Sequence, residues 1–92
     1  MGNLVIDPDD TNLDFKADWA VWLQDGDTIS TSTWVVPAGL SKVTDDKYST
    51  YNVIWLDGSG ATVGTVYEVV NRIVTVLGRT EDQTLLIECA EN

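Results

Sequence analysis

The side chains that could do chemistry in this chain are mainly carboxylates, because the sequence contains no histidine. Its absence removes Ser-His-Asp and Cys-His arrangements, most zinc sites and the commonest general base. Cys89 is the single cysteine and ends an apolar run, so we expect a buried thiol rather than a nucleophile. No Lys-Ser or Lys-Thr pair follows Gly58, Gly60 and Gly64, so these glycines form no phosphate-binding pattern.

Two groups of aspartates have the residue type that calcium prefers. They are Asp7, Asp9 and Asp10, and Asp25 and Asp27 with Asp57. Their spacing matches no EF-hand loop, which needs ligands at alternate positions and a distal glutamate, so exposed turn-forming aspartates are the commoner explanation. Paired carboxylates for glycoside hydrolysis would need a deep cleft, for which a chain of 92 residues has little room. We therefore predict no enzyme, no cofactor and no metal, with a small metal-dependent enzyme as a remote alternative.

The composition indicates one domain with an acidic surface. A chain of 92 residues with 43% hydrophobic residues and four tryptophans has enough apolar surface for one core. Fifteen acidic residues against five basic ones give a formal charge of -10, which opposes binding to nucleic acid and to anionic membranes. We see no secretory signal and no segment able to span a bilayer, and a single cysteine can form no internal disulfide. We therefore expect folding in a reducing cytoplasm.

Short β-branched stretches separated by turn signals predict an all-β fold. Gln-Asp-Gly-Asp at 24–27, Pro-Ala-Gly at 37–39 and Asp-Gly-Ser-Gly at 57–60 mark turns. The predicted strands are 4–6, 13–17, 28–36, 40–48, 49–56, 65–76 and 84–90, with a break at Asp45 and Asp46 and a helical turn near Trp19 capped by Asp18. This spacing is typical of a β-sandwich. We expect residues 1–12 to form an extended N-terminal arm or edge strand, and residues 13–92 to form the sandwich.

The run from Tyr67 to Glu91 predicts a β-hairpin with two apolar faces. The first hairpin strand carries on one face Tyr67, Val69, Ile73 and Thr75, and on the other Val66, Val70, Val74 and Val76, with Glu68 and Arg72 between them. In the preceding strand, Val53 and Trp55 share one face, and Ile54 and Leu56 share the other. A strand with one solvated face should alternate apolar and polar residues. We therefore expect another chain to cover part of this surface; a face-switching bulge or an overlying loop is the alternative.

The tryptophans fall into two pairs. Trp34 and Trp55 lie in the middle of predicted strands, where a core position is expected. Trp19 and Trp22 flank a turn, so they could be core residues or exposed anchors for a partner.

Arginines are rare in this acidic chain. Arg79 follows the turn at Gly78, where we expect it to pair with Glu81 or Asp82 or to contact an acidic partner. The candidate interface residues are Leu4, Val5, Ile6, Trp19, Trp22, Val70, Arg72, Val74 and Arg79.

An ordered series of short motifs resembles a family of small tailed-bacteriophage proteins. The motifs are Asp-Gly-Asp-Thr-Ile at 25–29, Ser-Thr-Trp-Val-Val-Pro at 32–37, Gly-Leu at 39–40, Val-Ile-Trp-Leu at 53–56, Gly-Thr-Val-Tyr at 64–67, Val-Asn-Arg-Ile at 70–73 and Gly-Arg-Thr at 78–80. The resemblance implies a virion component with an immunoglobulin-like β-sandwich of about seven antiparallel strands. It supplies no catalytic residues. The turn at 57–60 departs from it, because a Gly-Gly-rich turn is expected there.

The resemblance and the residue patterns together predict a non-enzymatic structural protein of a bacteriophage virion. The main expectation is a capsid decoration (cement) protein that stabilises the shell of the major capsid protein, in many copies that could form homo-oligomers. The alternatives are a head–tail connector or tail subunit, and a carbohydrate- or cell-surface-binding module with Trp19, Trp22 or Tyr51 as its aromatic platform. Expected partners are the major capsid protein or other virion proteins, with no nucleic acid and no membrane.

Overall fold

A computed structural model describes residues 4–23 and 26–91 of the chain. These residues form seven strands, which are β1 (Leu4–Ile6), β2 (Leu13–Asp18), β3 (Ile29–Val35), β4 (Ser41–Lys47), β5 (Tyr51–Asp57), β6 (Val66–Thr75) and β7 (Thr80–Cys89). Within the described ranges there is no helix, and so none that could cross a membrane. The prediction of an all-β fold is confirmed.

The strands form two sheets. The first sheet has the order β1-β7-β6-β3 and the second has the order β2-β5-β4. Neighbouring strands are antiparallel except β1 and β7, which run parallel with Ile6 beside Cys89. The strands are divided between the two sheets as in a seven-stranded immunoglobulin sandwich, with β3, β6 and β7 in one sheet and β2, β4 and β5 in the other. The predicted fold class is therefore correct, although β1 pairs with its neighbour in parallel rather than antiparallel.

One strand is uninterrupted where a break is predicted, and another begins earlier than predicted. β4 continues through Asp45 and Asp46, which both pair with β5. The carboxylate of Asp45 accepts a hydrogen bond from Lys42 Nζ at 2.9 Å, so its charge is compensated within the strand. β7 begins at Thr80 rather than at residue 84, because polar residues at its start still continue the ladder with β6. Polar side chains on both faces do not prevent backbone pairing where both faces are exposed.

The expected helical turn follows β2. Leu23 N donates to the carbonyl oxygen of Trp19 at 2.9 Å, and Asp18 Oδ1 accepts a hydrogen bond from Ala20 N at 3.0 Å. The turn predicted at 24–27 lies partly outside the described residues, as does Asp25 of the second aspartate group.

Alternate side chains of the two sheets meet in the core. The inward row of β6 is Tyr67, Val69, Asn71, Ile73 and Thr75, so the predicted pleat of the hairpin is confirmed. Ile54 of β5 and Ile87 of β7 are also fully buried, and each such side chain contributes about 1.5–3 kcal/mol by leaving water. Cys89 is buried as predicted, and burial raises the pKa of its thiol.

A cluster of hydrogen bonds crosses the core between the two sheets. Asn71 Oδ1 of the first sheet accepts from Trp19 Nε1 at 2.9 Å and from Asn52 Nδ2 of the second sheet at 2.7 Å. Asn71 Nδ2 donates to Ser32 Oγ and to the carbonyl oxygen of Thr33. Because buried polar groups are costly unless paired, this cluster fixes how the two sheets stack. It thereby fixes which residues face outward.

Candidate partner-binding surfaces

The outer face of the first sheet carries a cluster of exposed aliphatic side chains. Val70 lies directly opposite Val35, and Leu86 is the diagonal neighbour of both Val66 and Val70. Val5 and Val66 flank one residue of β7 from opposite sides. Val35, Val66 and Leu86 are 54%, 47% and 46% exposed, and Glu68 and Glu88 lie between members of the cluster on the same face. Exposed apolar side chains grouped in this way among polar residues mark an interaction surface. We call Val5, Val35, Val66, Val70 and Leu86 the aliphatic patch.

An exposed ion pair bounds the aliphatic patch. Arg72 Nε donates to Asp82 Oδ1 at 2.8 Å, and Arg72 Nη2 donates to Asp82 Oδ2 at 3.1 Å. These hydrogen bonds raise the pKa of Arg72 and lower the pKa of Asp82. Val74 lies beyond the pair, opposite Thr31 and Thr80. The predicted residues Val70, Arg72 and Val74 therefore share the outer face, but only Val70 belongs to the patch.

The other predicted contact residues divide between surface and core. Leu4 and Val5 are exposed, whereas Ile6 and Trp19 are 0% and 2% exposed. Residues 4–6 form an edge strand beside β7 rather than a free arm. Ile6 and Trp19 therefore belong to the core, and they cannot contact a partner while the sandwich is folded.

Trp22 and Arg79 meet at the end of the molecule formed by the β6–β7 turn. The Arg79 guanidinium lies 4.0 Å from the centre of the Trp22 ring. Arg79 Nη1 lies 3.9 Å from Oδ2 of the buried Asp27, and neither atom has a hydrogen-bond partner among the described residues. The expected pairing of Arg79 with Glu81 or Asp82 is wrong, because the arginine packs toward the β2–β3 connection instead.

The outer face of the second sheet carries aromatic side chains. Tyr51, Val53 and Trp55 are half-buried on this face, because the alternate residues of β5 fill the inward positions. Tyr48 stacks on Tyr51 with ring centres 4.5 Å apart. We call Tyr48, Tyr51, Val53 and Trp55 the aromatic strip. The shared face of Val53 and Trp55 is confirmed. The prediction that Trp55 is a core residue is wrong, because Trp55 lies on the outer face. Trp34 is partly buried and packs against buried core residues, as predicted.

The aspartates at 7–10 close a turn. Asp10 Oδ2 accepts a hydrogen bond from Asp7 N at 2.9 Å, and Asp7 Oδ1 accepts one from Asp9 N at 2.8 Å. In residues 4–23 and 26–91, no group of three or more histidine, cysteine, aspartate or glutamate side chains could hold a metal ion.

A protein-family model matches residues 7–88, which include β2 to β6 and most of β7. Its description is the podophage GP4 fiber-tail adaptor protein gp77. The chain belongs to this family. It is therefore a structural protein of the bacteriophage virion, as the motif resemblance implied. A comparison with curated proteins finds no match.

Proposed function

We propose that the chain is a non-enzymatic adaptor that joins a fiber to the tail of the virion. The match to the fiber-tail adaptor family over residues 7–88 carries this proposal. It favours the tail-subunit alternative over capsid decoration, which was the main expectation from the sequence. The partners are accordingly tail and fiber proteins rather than the major capsid protein.

The sandwich suits an adaptor because it has two outer faces of different chemistry. One face carries the aliphatic patch and the other carries the aromatic strip. The molecule extends over 42 × 25 Å along its two longer axes. A face of that size can supply the roughly 800 Å² per partner that a standard protein–protein interface buries. Two neighbours could therefore bind at the same time without competing.

The aliphatic patch is the contact surface that we assign to the first neighbour. Fully burying a valine or leucine contributes about 1.5–3 kcal/mol, so five side chains that are already partly buried would each contribute roughly 1 kcal/mol. The resulting ~5 kcal/mol must offset the loss of translational and rotational freedom on association. The patch alone therefore gives weak binding. A stable position in the particle requires further contacts, which the predicted residues Arg72 and Val74 can supply beside it on the same outer face.

Particles assembled without this chain provide the test, with purified chain added back. We expect the wild-type chain to restore fiber attachment, at about a dozen copies or fewer per particle, as in a symmetric tail ring. Val35→Asp places a charge in the aliphatic patch, and we expect it to reduce either loading of the chain or fiber attachment. Chain loading and fiber content are measured by quantitative mass spectrometry of purified particles.

Leu77→Asp is the matched control. Leu77 lies in the β6–β7 turn, outside the aliphatic patch and the aromatic strip, and is 61% exposed, compared with 54% for Val35, so both variants add the same charge at a similarly exposed position. The control should load and attach fibers normally. Hundreds of copies per particle, with normal fiber attachment in their absence, would contradict the adaptor function and favour capsid decoration.

A further inference from the structure

The aromatic strip lies within a ring of carboxylates. Across the second sheet, Asp14 pairs with Trp55, Asp18 with Tyr51 and Asp46 with Val53. Asp57 lies two residues beyond Trp55 on the same face of β5. Lys16, which pairs with Val53, is the single cation among these positions. Four carboxylates therefore face one ammonium group, and three negative charges on this face have no counterpart.

These carboxylates have few partners within the described part of the chain. Asp57 Oδ1 accepts a hydrogen bond from Ser59 N at 2.8 Å, and Asp18 Oδ1 accepts one from Ala20 N at 3.0 Å. Both bonds come from neutral backbone groups, which leave the charge in place. The Ser59 hydrogen bonds also lower the pKa of Asp57, so this carboxylate stays ionised. Among the described contacts, no salt bridge neutralises Asp14 or Asp46.

Two aromatic rings of this chain already contact cationic side chains of the same chain. Lys16 Nζ lies 5.2 Å from the centre of the Tyr51 ring, and the Arg79 guanidinium lies 4.0 Å from the centre of the Trp22 ring. Trp55 has no such cation within the described residues, although tryptophan is the strongest of the aromatic partners. It lies opposite Asp14 and beside Asp57, so an arginine stacked on this ring could also reach a carboxylate. Arginine combines aromatic stacking with carboxylate pairing better than any other side chain.

We propose that the aromatic strip and its aspartates dock a basic, arginine-bearing surface of one of the two virion neighbours. This inference rests on the proposed adaptor function, because it assigns the chemistry of the second neighbour. A second copy of the chain does not fit, since two such faces would repel each other. An uncharged glycan would use the rings but leave the carboxylates without a role. The first neighbour would bind the aliphatic patch on the opposite face, so the two contacts differ in chemistry and in salt dependence.

The test uses two variants of this face and one control. Asp14→Asn with Asp46→Asn removes two charges, and Trp55→Ala removes the stacking ring. Asp9→Asn with Glu91→Gln removes the same two charges from exposed positions outside both faces. The changed positions lie outside the core, and thermal unfolding of each variant verifies that it folds.

Two steps are measured separately over a range of sodium chloride concentrations. The first is loading of the chain onto tailed particles that lack it, and the second is capture of purified fiber by loaded particles. We expect both variants of the aromatic face to weaken the same step roughly tenfold, as truncation of a hot-spot residue does. The charge variant should also flatten the salt dependence of that step, because salt screens the contacts that it removes. Val35→Asp should weaken the other step, and the Asp9 and Glu91 control should weaken neither.

The outcomes separate this inference from the adaptor function. If both variants load and capture fiber like the wild type, the basic docking surface is overturned, while a loss with Val35→Asp leaves the adaptor function standing. If Trp55→Ala weakens a step that salt does not affect, the neighbour is not basic, and a glycan or an apolar surface takes its place. If the wild-type chain neither loads nor captures fiber, both proposals are refuted.

Discussion

Replacing Asn71 by leucine should destabilise the fold severely. Leucine keeps the branching of asparagine but has no hydrogen-bonding atoms. Trp19 Nε1 and Asn52 Nδ2 donate to Asn71 Oδ1 at 2.9 and 2.7 Å, and both would be left unpaired in the core. An unpaired buried group costs about 1–3 kcal/mol, so the free energy of unfolding should fall by roughly 2–6 kcal/mol. Since a domain of this size has only about 5–15 kcal/mol in total, the variant approaches the limit of stability.

Asn52→Leu is the informative comparison. Asn52 Oδ1 is buried without a hydrogen-bond partner among the described residues, so removing this side chain also removes an unpaired atom. Asn71 Oδ1 would still accept the hydrogen bond from Trp19 Nε1. We therefore expect a smaller loss of roughly 0.5–1.5 kcal/mol, the net value of one hydrogen bond. The two asparagines face each other across the core, yet their substitutions should differ several-fold.

Urea unfolding followed by far-ultraviolet circular dichroism measures both free energies. The slope of the free energy against urea should stay unchanged, because the same surface is exposed on unfolding. Asn71→Val controls for the larger volume of leucine, and it should cost about as much if lost hydrogen bonds are the cause. Equal losses for Asn52→Leu and Asn71→Leu would refute this account of the cluster.

The remaining predictions concern a turn, the thiol and the surface ion pair. Gly39→Ala should lower the melting temperature more than Gly64→Ala. Both glycines have a positive φ, which costs alanine about 1–2 kcal/mol. At Gly39, unlike at Gly64, the new Cβ would also lie 2.7 Å from an atom of the Tyr67 ring. The pKa of the Cys89 thiol is raised in the folded protein, so folding favours the neutral thiol. This contribution to the free energy of unfolding should be fully present below the pKa of an unfolded cysteine, about 8.5, and should be lost as the pH rises through the pKa of Cys89 in the folded protein. Alkaline unfolding titrations should show this decline, and Cys89→Ala should lack it. Asp82→Asn should change the free energy of unfolding at neutral pH little, since the ion pair is exposed. The lowered pKa of Asp82 means that its carboxylate stabilises the fold above the pKa of an unfolded aspartate, about 3.9, and loses this effect as the pH falls further. The variant should therefore lose less stability on acidification than the wild type. An acid titration that is identical in both proteins would contradict this.

The sequence predicts the two faces of the hairpin well, for a simple reason. Side chains in a strand alternate with period two, so once Tyr67 and Val69 are placed inward, Val66 and Val70 must face outward. The same alternation separates Val53 and Trp55 from the residues between them. Periodicity thus groups the residues of each face correctly.

Periodicity does not say which face of a strand is buried when both are apolar. The mid-strand position of Trp55 predicts a core residue, yet Ile54 and Leu56 occupy the inward positions of β5. The aromatic strip was missed for that reason, although its flanking aspartates are a visible signal once the pairing of β2 with β5 is known. The partner of Arg79 was missed because Asp27 is 52 positions away in the chain, and contacts between distant turns depend on the stacking of the sheets.

The parallel pairing of β1 with β7 has a mechanical consequence. The chain enters β1 and leaves β7 at opposite ends of this pair, with Leu4 beside Ile87 and Ile6 beside Cys89. Tension between the two chain ends would pull the strands lengthwise past each other, so their hydrogen bonds would resist in shear and have to break together. In an antiparallel pair pulled from one end, the bonds would open one after another. Although β1 has only three residues, it therefore gives the sandwich resistance to tension applied between its chain ends.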